Sequence, residues 1–318
     1  MILIVTPNPC IDKTIYVKRN ELGKIIRAYK VKLIAGGKGN NVARVLNNMG
    51  IENLSLNLLG GYYGKIIEEC LRRDGINYKA IWIKNPSRTV VTVLEDSLRQ
   101  TAFVEPGPEV LPEEKEKMLE LFKNIVELNR TKIRFVILSG SIPDHKYSDI
   151  YRTMIEVARL NGIKCVLDSR GKALKVGVEA KPFLIKPNIQ ELEDLLDLKL
   201  TFNDLEDDVK LAWYALELTK YAEIVILTMG DRGSIVTEGK KIYKASPPKI
   251  EVINPVGSGD SFLAGFVYGL YLNMDIVNCI KIATAAGAAN ASIWDAASCT
   301  KEQIMQFVDE VEVTQLYV

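Results

Sequence analysis

The sequence predicts an α/β fold: a largely parallel sheet with helices on both faces, and a small second β-sheet beside it. Three observations predict this. Apolar runs of strand length alternate with amphipathic runs of helix length along the chain. Glycine-rich turns follow several of the apolar runs, at the strand ends where such folds gather ligands. Two segments, 13–34 and 81–104, break the alternation with period-2 stretches and no intervening helix, of which Thr89-Val90-Val91-Thr92-Val93-Leu94 is the clearest.

Ile2–Thr6 reads as the first strand. Lys38–Met49 reads as a helix, because Val42, Val45, Leu46 and Met49 share one face. Leu54–Leu59 is a strand and Gly64–Asp74 a helix. A helix over Glu113–Leu128 opens just after Pro112, a favoured N-terminal residue. Phe135–Ser139 is a buried strand, and Asp149–Asn161 a helix stopped by Gly162. Cys165–Asp168 and Phe183–Lys186 are strands, Ile189–Leu196 a short helix, Asp204–Tyr221 a longer one and Ile224–Thr228 a strand. Helices over Ser258–Leu272, Ile276–Ala291 and Lys301–Val311 complete the chain. At ~150 residues per domain, 318 residues suggest about two domains. The element pattern instead argues for one α/β domain over 1–318, with a lid inserted from 13–34 and 81–104.

Composition excludes several function classes. Forty-one basic and forty acidic side chains leave a net charge of +1, without the basic stripe of a nucleic-acid binder. The five cysteines are widely spaced with no C-x-x-C, which argues against a disulfide framework or a zinc site and for a reducing compartment. The longest apolar stretch, Phe262–Leu272, is about half a membrane span, and Met1–Val5 lacks the flanks of a signal peptide; a soluble, cytoplasmic protein with no membrane partner is expected. His145 is the single histidine, so chemistry by carboxylates, lysines, backbone amides and an external ion is favoured over imidazole.

Four segments carry candidate chemistry. Ala35-Gly36-Gly37-Lys38-Gly39-Asn40-Asn41 precedes a helix; it fits either an anion site with Lys38 as counter-charge or a plain tight turn, and it is neither a Walker loop nor a complete dinucleotide fingerprint. Asn254-Pro255-Val256-Gly257-Ser258-Gly259-Asp260-Ser261 opens the next helical run. Amides of this turn can hold developing negative charge while Asp260 accepts a proton. The alternative is that Asp260 only favours the helix start. Lys186-Pro187-Asn188-Ile189-Gln190-Glu191 suits a hydrated Mg²⁺, although by itself the Asn188/Glu191 spacing favours a capping box. Thr228-Met229-Gly230-Asp231-Arg232-Gly233 reads as a phosphate cradle or a hairpin turn.

These segments, in this order, resemble the PfkB/ribokinase family of carbohydrate kinases over nearly the whole chain. The resemblance is nearest to the 1-phosphofructokinase and tagatose-6-phosphate kinase branch. It is carried by Thr6-Pro7-Asn8-Pro9 with Asp12, AGGKGNNVARV from Ala35, Ser87-Arg88-Thr89, LSGSIP from Leu138, LIKPNIQE from Leu184 and NPVGSGDSFLAGF from Asn254. The resemblance implies a ribokinase-like three-layer α/β/α fold with a small β-sheet lid, and transfer of the γ-phosphoryl group of ATP, with Mg²⁺, to a ketohexose phosphate such as fructose 1-phosphate or tagatose 6-phosphate. It implies Asp260 as general base, with Gly257, Ser258 and Gly259 as the anion hole. Asp12, Gly37 and Asn41 would hold sugar hydroxyls, with Ser139 in the same substrate group, and Lys38, Arg88 and Arg27 the substrate's phosphate. Asn188 and Glu191 would order the Mg²⁺ through water. Lys186, Thr228, Gly230 and Gly233 would line the nucleotide phosphates, with Asn290 near the adenine. A homodimer paired through the lids is implied too. The sequence departs from the family pattern at Val90, at His145 and at Asp168-Ser169-Arg170-Gly171, which bears on the acceptor pocket. Two other readings use the same scaffold: a kinase of a neutral sugar or nucleoside, which would not need Lys38 and Arg88, and a catalytically silent sugar-phosphate binder, against which Asp260 and its Gly-Ser-Gly turn argue.

Overall fold

Strand β1 (Ile2–Thr6) is at most 1% exposed at every residue, as a strand covered on both faces must be. The computed structural model, which describes residues 1–317, sets it third from one edge of a ten-stranded sheet. The strands that follow are β2 (Cys10–Val17), β3 (Lys30–Gly36), β4 (Asn53–Gly60), β5 (Tyr78–Ile83), β6 (Arg88–Glu95), β7 (Gln100–Val104), β8 (Phe135–Ser139), β9 (Lys164–Asp168), β10 (Leu184–Ile185), β11 (Ile224–Thr228), β12 (Ser234–Glu238), β13 (Lys241–Ser246) and β14 (Glu312–Leu316). The helices are α1 (Lys38–Asn48), α2 (Gly61–Arg73), α3 (Pro112–Leu128), α4 (Ile150–Leu160), α5 (Gly171–Gly177), α6 (Ile189–Leu196), α7 (Phe202–Glu206), α8 (Asp208–Glu217), α9 (Ser258–Tyr271), α10 (Ile276–Ala291) and α11 (Lys301–Met305).

The large sheet runs β14-β13-β12-β11-β10-β9-β8-β1-β4-β5. It is parallel from β11 to β5 and antiparallel from β11 to β14. Alternating side chains divide between two cores. Ile2, Ile4 and Ile137 meet Val42 of α1, Ile67 of α2, Phe266 of α9 and Ile280 of α10. Leu3, Val5 and Leu138 meet Phe122 of α3, Met154 of α4, Leu174 of α5 and Leu211 of α8. The predicted three-layer architecture is therefore present, with a core on each face of the sheet.

The chain passes from β1 to β4 and β5 on one side, and returns through β8 to β11 on the other. The order thus reverses between β1 and β8, and the carboxyl ends of these two strands mark the crevice where a parallel sheet binds ligands.

The lid is a separate four-stranded sheet, β3-β2-β6-β7, with β2 and β6 parallel. Its second segment begins at Arg88, not at Ile81: Tyr78–Ile83 is instead the edge strand of the large sheet, paired in parallel with β4. Two other expectations are corrected. The helix read over Asp204–Tyr221 is broken at Asp207, whose side chain caps α8 by accepting from the Lys210 amide. Lys301–Val311 is helical only to Met305, with a 3₁₀ turn at Val308–Glu310. The antiparallel strands β12, β13 and β14 were not anticipated.

Candidate active site

Gly257 adopts a left-handed φ of 82°, and a Cβ there would sit 3.1 Å from the Ala297 nitrogen, so only glycine makes this turn into α9. Asn290 holds the turn from behind. It is fully buried, its Nδ2 donates to Val256 O at 2.9 Å and to Ser258 Oγ at 3.0 Å, and its Oδ1 accepts from the Ala297 amide. Asn290 was expected near the adenine. Every polar atom of its side chain is used inside the protein, where it braces the turn, and its neighbours Ala288 and Ala291 line the large cavity described below. The Ser258 N–H is drawn onto Pro255 O at 3.2 Å. The amides that follow, of Gly259 and Asp260, begin the helix without a backbone acceptor among the described residues.

Asp260 lies in the first turn of α9 and is 7% exposed. Burial pushes its carboxyl up to about 6, against the pull of the Lys38 ammonium and a 2.8 Å hydrogen bond from Asn41 Nδ2. Asn41, on α1, in turn accepts from Arg44 Nη1 at 3.0 Å, and Arg44 donates to Ala35 O and pairs with Asp74. Both functional ends of Asn41 are therefore engaged within the protein, where a sugar hydroxyl was the expected partner. Asp12, on β2, is paired in register with Ile34 and Val90, and burial raises its carboxyl above the usual aspartate range.

A second carboxylate organises the cations. Asp168 ends β9 and is fully buried; its Oδ1 lies 2.9 Å from Lys38 Nζ and 3.4 Å from Lys186 Nζ, and its Oδ2 accepts from Ser139 at 3.4 Å. Burial opposes its ionisation, but Lys186 and Lys38 outweigh burial and hold the carboxyl below the ordinary aspartate value. Conversely, burial works against the charge on Lys38, and Asp168, Glu191 and Asp260 together hold it above the ordinary lysine value. Lys186 Nζ also lies beside Gly259, 3.7 Å from where a Cβ would be. The position of Asp168, closing an apolar strand, was the available sequence signal that it belongs to the site.

Asn188 and Glu191 form a complete capping box: Asn188 Oδ1 accepts from the Glu191 amide at 2.9 Å, and Glu191 Oε2 accepts from the Asn188 amide at 3.0 Å. The other oxygen, Oε1, faces Lys38 at 3.9 Å, so one residue serves both readings of the motif. Burial raises the Glu191 carboxyl above its usual range. No cluster of three or more metal-ligating His, Cys, Asp or Glu exists among the described residues. One carboxylate oxygen outside any closed cage fits Mg²⁺ that keeps most of its water and takes its remaining ligands from phosphates.

Two cavities flank this core. One, of about 940 Å³, is lined by Thr228, Gly230, Asp231 and Gly233 of the β11–β12 turn, by Ser258, Gly259 and Phe262 of α9, by Gly287 and Ala288 of α10 and by the 247–255 loop. The Thr228–Gly233 segment is thus both a hairpin turn and a cavity wall. Thr284, which the sequence reading missed, also lines this cavity, and its hydroxyl is buried without a hydrogen-bond partner.

The other cavity, of about 220 Å³, opens at the β1/β8 reversal and is lined by Thr6, Asn8, Gly37, Lys38, Arg88, Val104, Ser139, Gly140, Ser141, Ser169 and Arg170. Gly37 (φ 106°) lets the chain pass Thr6, whose methyl would lie 2.9 Å from any Cβ. The loop after β8 is pinned by Tyr151 and Ser169, whose hydroxyls each donate to Gly140 O at 2.9 Å. Arg27 is not brought here; it is exposed in the loop joining β2 to β3.

A buried carboxylate near pKa 6, a glycine turn at a helix start and a lysine pair around Asp168, set between a large and a small cavity, suit transfer of an anionic group from one bound molecule to another. The chain belongs to the pfkB family of carbohydrate kinases, whose pattern matches residues 5–303. It is thus a phosphotransferase acting on an alcohol group. It is 32% identical to the tagatose-6-phosphate kinase of Staphylococcus epidermidis, an alignment covering 99% of this chain and 100% of that one. Among solved structures it superposes on a Thermotoga maritima protein described as a possible 1-phosphofructokinase, with TM-score 0.88, 24% identity and all of both chains covered. It also superposes on Escherichia coli phosphofructokinase-2 in complex with fructose-6-phosphate, with TM-score 0.85, 23% identity and coverage of 97% and 98%. These two likenesses establish the shared fold.

Proposed function

We propose that the protein transfers the γ-phosphoryl group of ATP to a hydroxyl of a ketohexose phosphate, tagatose 6-phosphate or fructose 1-phosphate, giving the bisphosphate and ADP. The observation that carries the reading is the position of Asp260. Ser258 and Gly259, just before it in the chain, line the large cavity; Lys38, whose charge acts on it in space, lines the small one. A nucleotide in the first cavity and a sugar phosphate in the second would meet beside this carboxylate.

Asp260 takes the acceptor proton as the new O–P bond forms and the bridging bond of ATP breaks. A carboxyl near pKa 6 is a carboxylate at pH 7 yet basic enough to receive that proton. The Gly259 and Asp260 amides and Lys186 stabilise charge on the transferring group. The Thr228–Gly233 turn lines the nucleotide's place, and Lys38 and Arg88 face the acceptor. Glu191, through the oxygen that faces Lys38, and Asn188, which fixes it, would hold a hydrated Mg²⁺; the ion supplies charge neutralisation on the phosphates. Catalysis by positioning and electrostatics needs no imidazole, in keeping with a single histidine.

The lid presents Val31 and Phe103 on one face of its sheet, each more than half exposed, and we assign this surface to a homodimer contact. All five cysteines are free and buried, which agrees with a cytoplasmic location. ATP consumption measured over neutral sugars, nucleosides and sugar phosphates tests the reading. Saturable turnover on a ketose phosphate is expected. Preference for a neutral acceptor, or binding without turnover, would replace it with one of the other two readings.

A further inference from the structure

The small cavity has an unusual charge balance. Three cationic side chains line it, Lys38, Arg88 and Arg170, and no carboxylate does. Lys38 is neutralised from behind by Asp168. Arg88, at the start of β6 in the lid, gives one N–H to Glu105 O at 3.2 Å, while its Nε is buried without any partner. A buried guanidinium nitrogen with nothing to donate to is costly unless a ligand supplies the acceptor. Arg170 also lines the cavity, from the core loop between β9 and α5, and meets no carboxylate at ion-pair distance among the described residues. Each of the two arginines is thus a cation facing the cavity without a countercharge.

We propose that Arg170 is a specificity-determining residue that binds the phosphate already carried by the acceptor, closing on it from the core while Arg88 closes from the lid. This rests on the reading of the protein as a sugar-phosphate kinase. A phosphomonoester is a dianion with three acceptor oxygens, which two planar guanidinium groups, one from the lid and one from the core, can share. The wall between them supplies neutral polar groups rather than competing acids: Asn8 donates to Ser141 Oγ at 3.1 Å, and the Gly140 carbonyl is tied down by Tyr151 and Ser169. Because Arg88 rides on the lid and Arg170 on the core, the phosphate would also draw the two together. Arg170 takes no part in moving the acceptor proton, which is assigned to Asp260.

The test compares Arg170→Ala and Arg170→Lys with the wild type, using ATP and tagatose 6-phosphate, fructose 1-phosphate or fructose 6-phosphate, with fructose as the neutral control. Arg170→Ala should raise KM for the phosphorylated acceptor by about ten- to a hundredfold, the loss of a charged hydrogen bond. Its kcat should change far less, its KM for ATP should stay put, and Arg170→Lys should recover part of the loss. An unchanged acceptor KM, or a rise in KM for ATP in its place, would overturn the role of Arg170 while leaving the kinase reading intact. If the wild type turns over none of these phosphates, it is the kinase reading that fails. Titration calorimetry with tagatose 6-phosphate then decides the arginine: weaker binding by Arg170→Ala supports the site, and equal binding, or none by the wild type, removes it.

Discussion

Asn41 Nδ2 donates a 2.8 Å hydrogen bond to Asp260 Oδ2, joining the first turn of α1 to the first turn of α9 across 219 residues of sequence. The Asn41 amide cannot rotate freely, because Arg44 holds its oxygen. The carboxylate is therefore aimed by a chain that runs Asp74, Arg44, Asn41, Asp260, and two glycine-led helices are locked together at the point where chemistry is proposed.

Asp260→Asn should lower kcat by roughly 10²–10⁴, the range for loss of a general base, while KM for both substrates changes little. The fold should not suffer. The Asp260 carboxyl is raised to about 6 in the folded protein, so the native state holds its proton more tightly than the unfolded chain, and stability falls as pH rises from about 4 to 6. Removing the charge should leave the variant as stable as the wild type at pH 7, or more stable by about 1–3 kcal/mol, in urea unfolding. Near-normal turnover by this variant would dismiss Asp260 as the base.

The pH profile follows from the same group. Activity requires the Asp260 carboxylate, so kcat/KM should fall on the acid side with a midpoint near pH 6. Asn41→Leu removes a donor that favours the charged form, and the acid limb should move up by about one pH unit. A rate profile whose acid limb stays in place would show that Asn41 does not tune the carboxylate.

Glu191→Gln keeps an oxygen for the Asn188 amide, and with it the cap, but removes the charge on the oxygen that faces Lys38. The Mg²⁺ concentration giving half-maximal rate should rise by about 10- to 100-fold, the usual effect of disturbing an indirect metal contact. Thermal stability should hold to within about 1 kcal/mol. An unchanged Mg²⁺ requirement would reduce Glu191 to its capping role.

Phe103→Glu puts a charge on the exposed lid strand, where the wild-type ring is 62% exposed. Sedimentation velocity should show a dimer for the wild type and a shift toward monomer for the variant, as expected when charge is placed in an apolar contact. A wild type that sediments as a monomer would remove the lid as a dimer surface.

Much of the site was legible because it is written locally. The turn Gly257-Ser258-Gly259-Asp260 opens α9 at Ser258, and AGGKG leads into α1 at Lys38, since glycine freedom and helix-start amides act over a few residues. Asn188 and Glu191 share this property, and their box forms as spaced. Asp168 was named only as part of a motif, because its meaning lies in Lys38 and Lys186, and Lys38 is 130 residues away. Asn290 and Arg27 carry the right chemistry for the roles first read into them. The first is buried behind the Gly257 turn, which it braces, and the second lies in an exposed loop outside the small cavity.

By itself the sequence determined the layered α/β fold, the strand-end loops that bear function and the residue types available for phosphoryl transfer. Periodicity, glycine placement and charge are properties of neighbouring residues. Tertiary structure alone decided which charges neutralise one another, and so that Lys38 is spoken for by Asp168 while Arg88 and Arg170 face a cavity with no countercharge. It also decided that burial lifts Asp260 to about 6. Ion pairing and desolvation depend on distance and on exclusion of water, and both are set only when strands remote in sequence converge at the β1/β8 crevice.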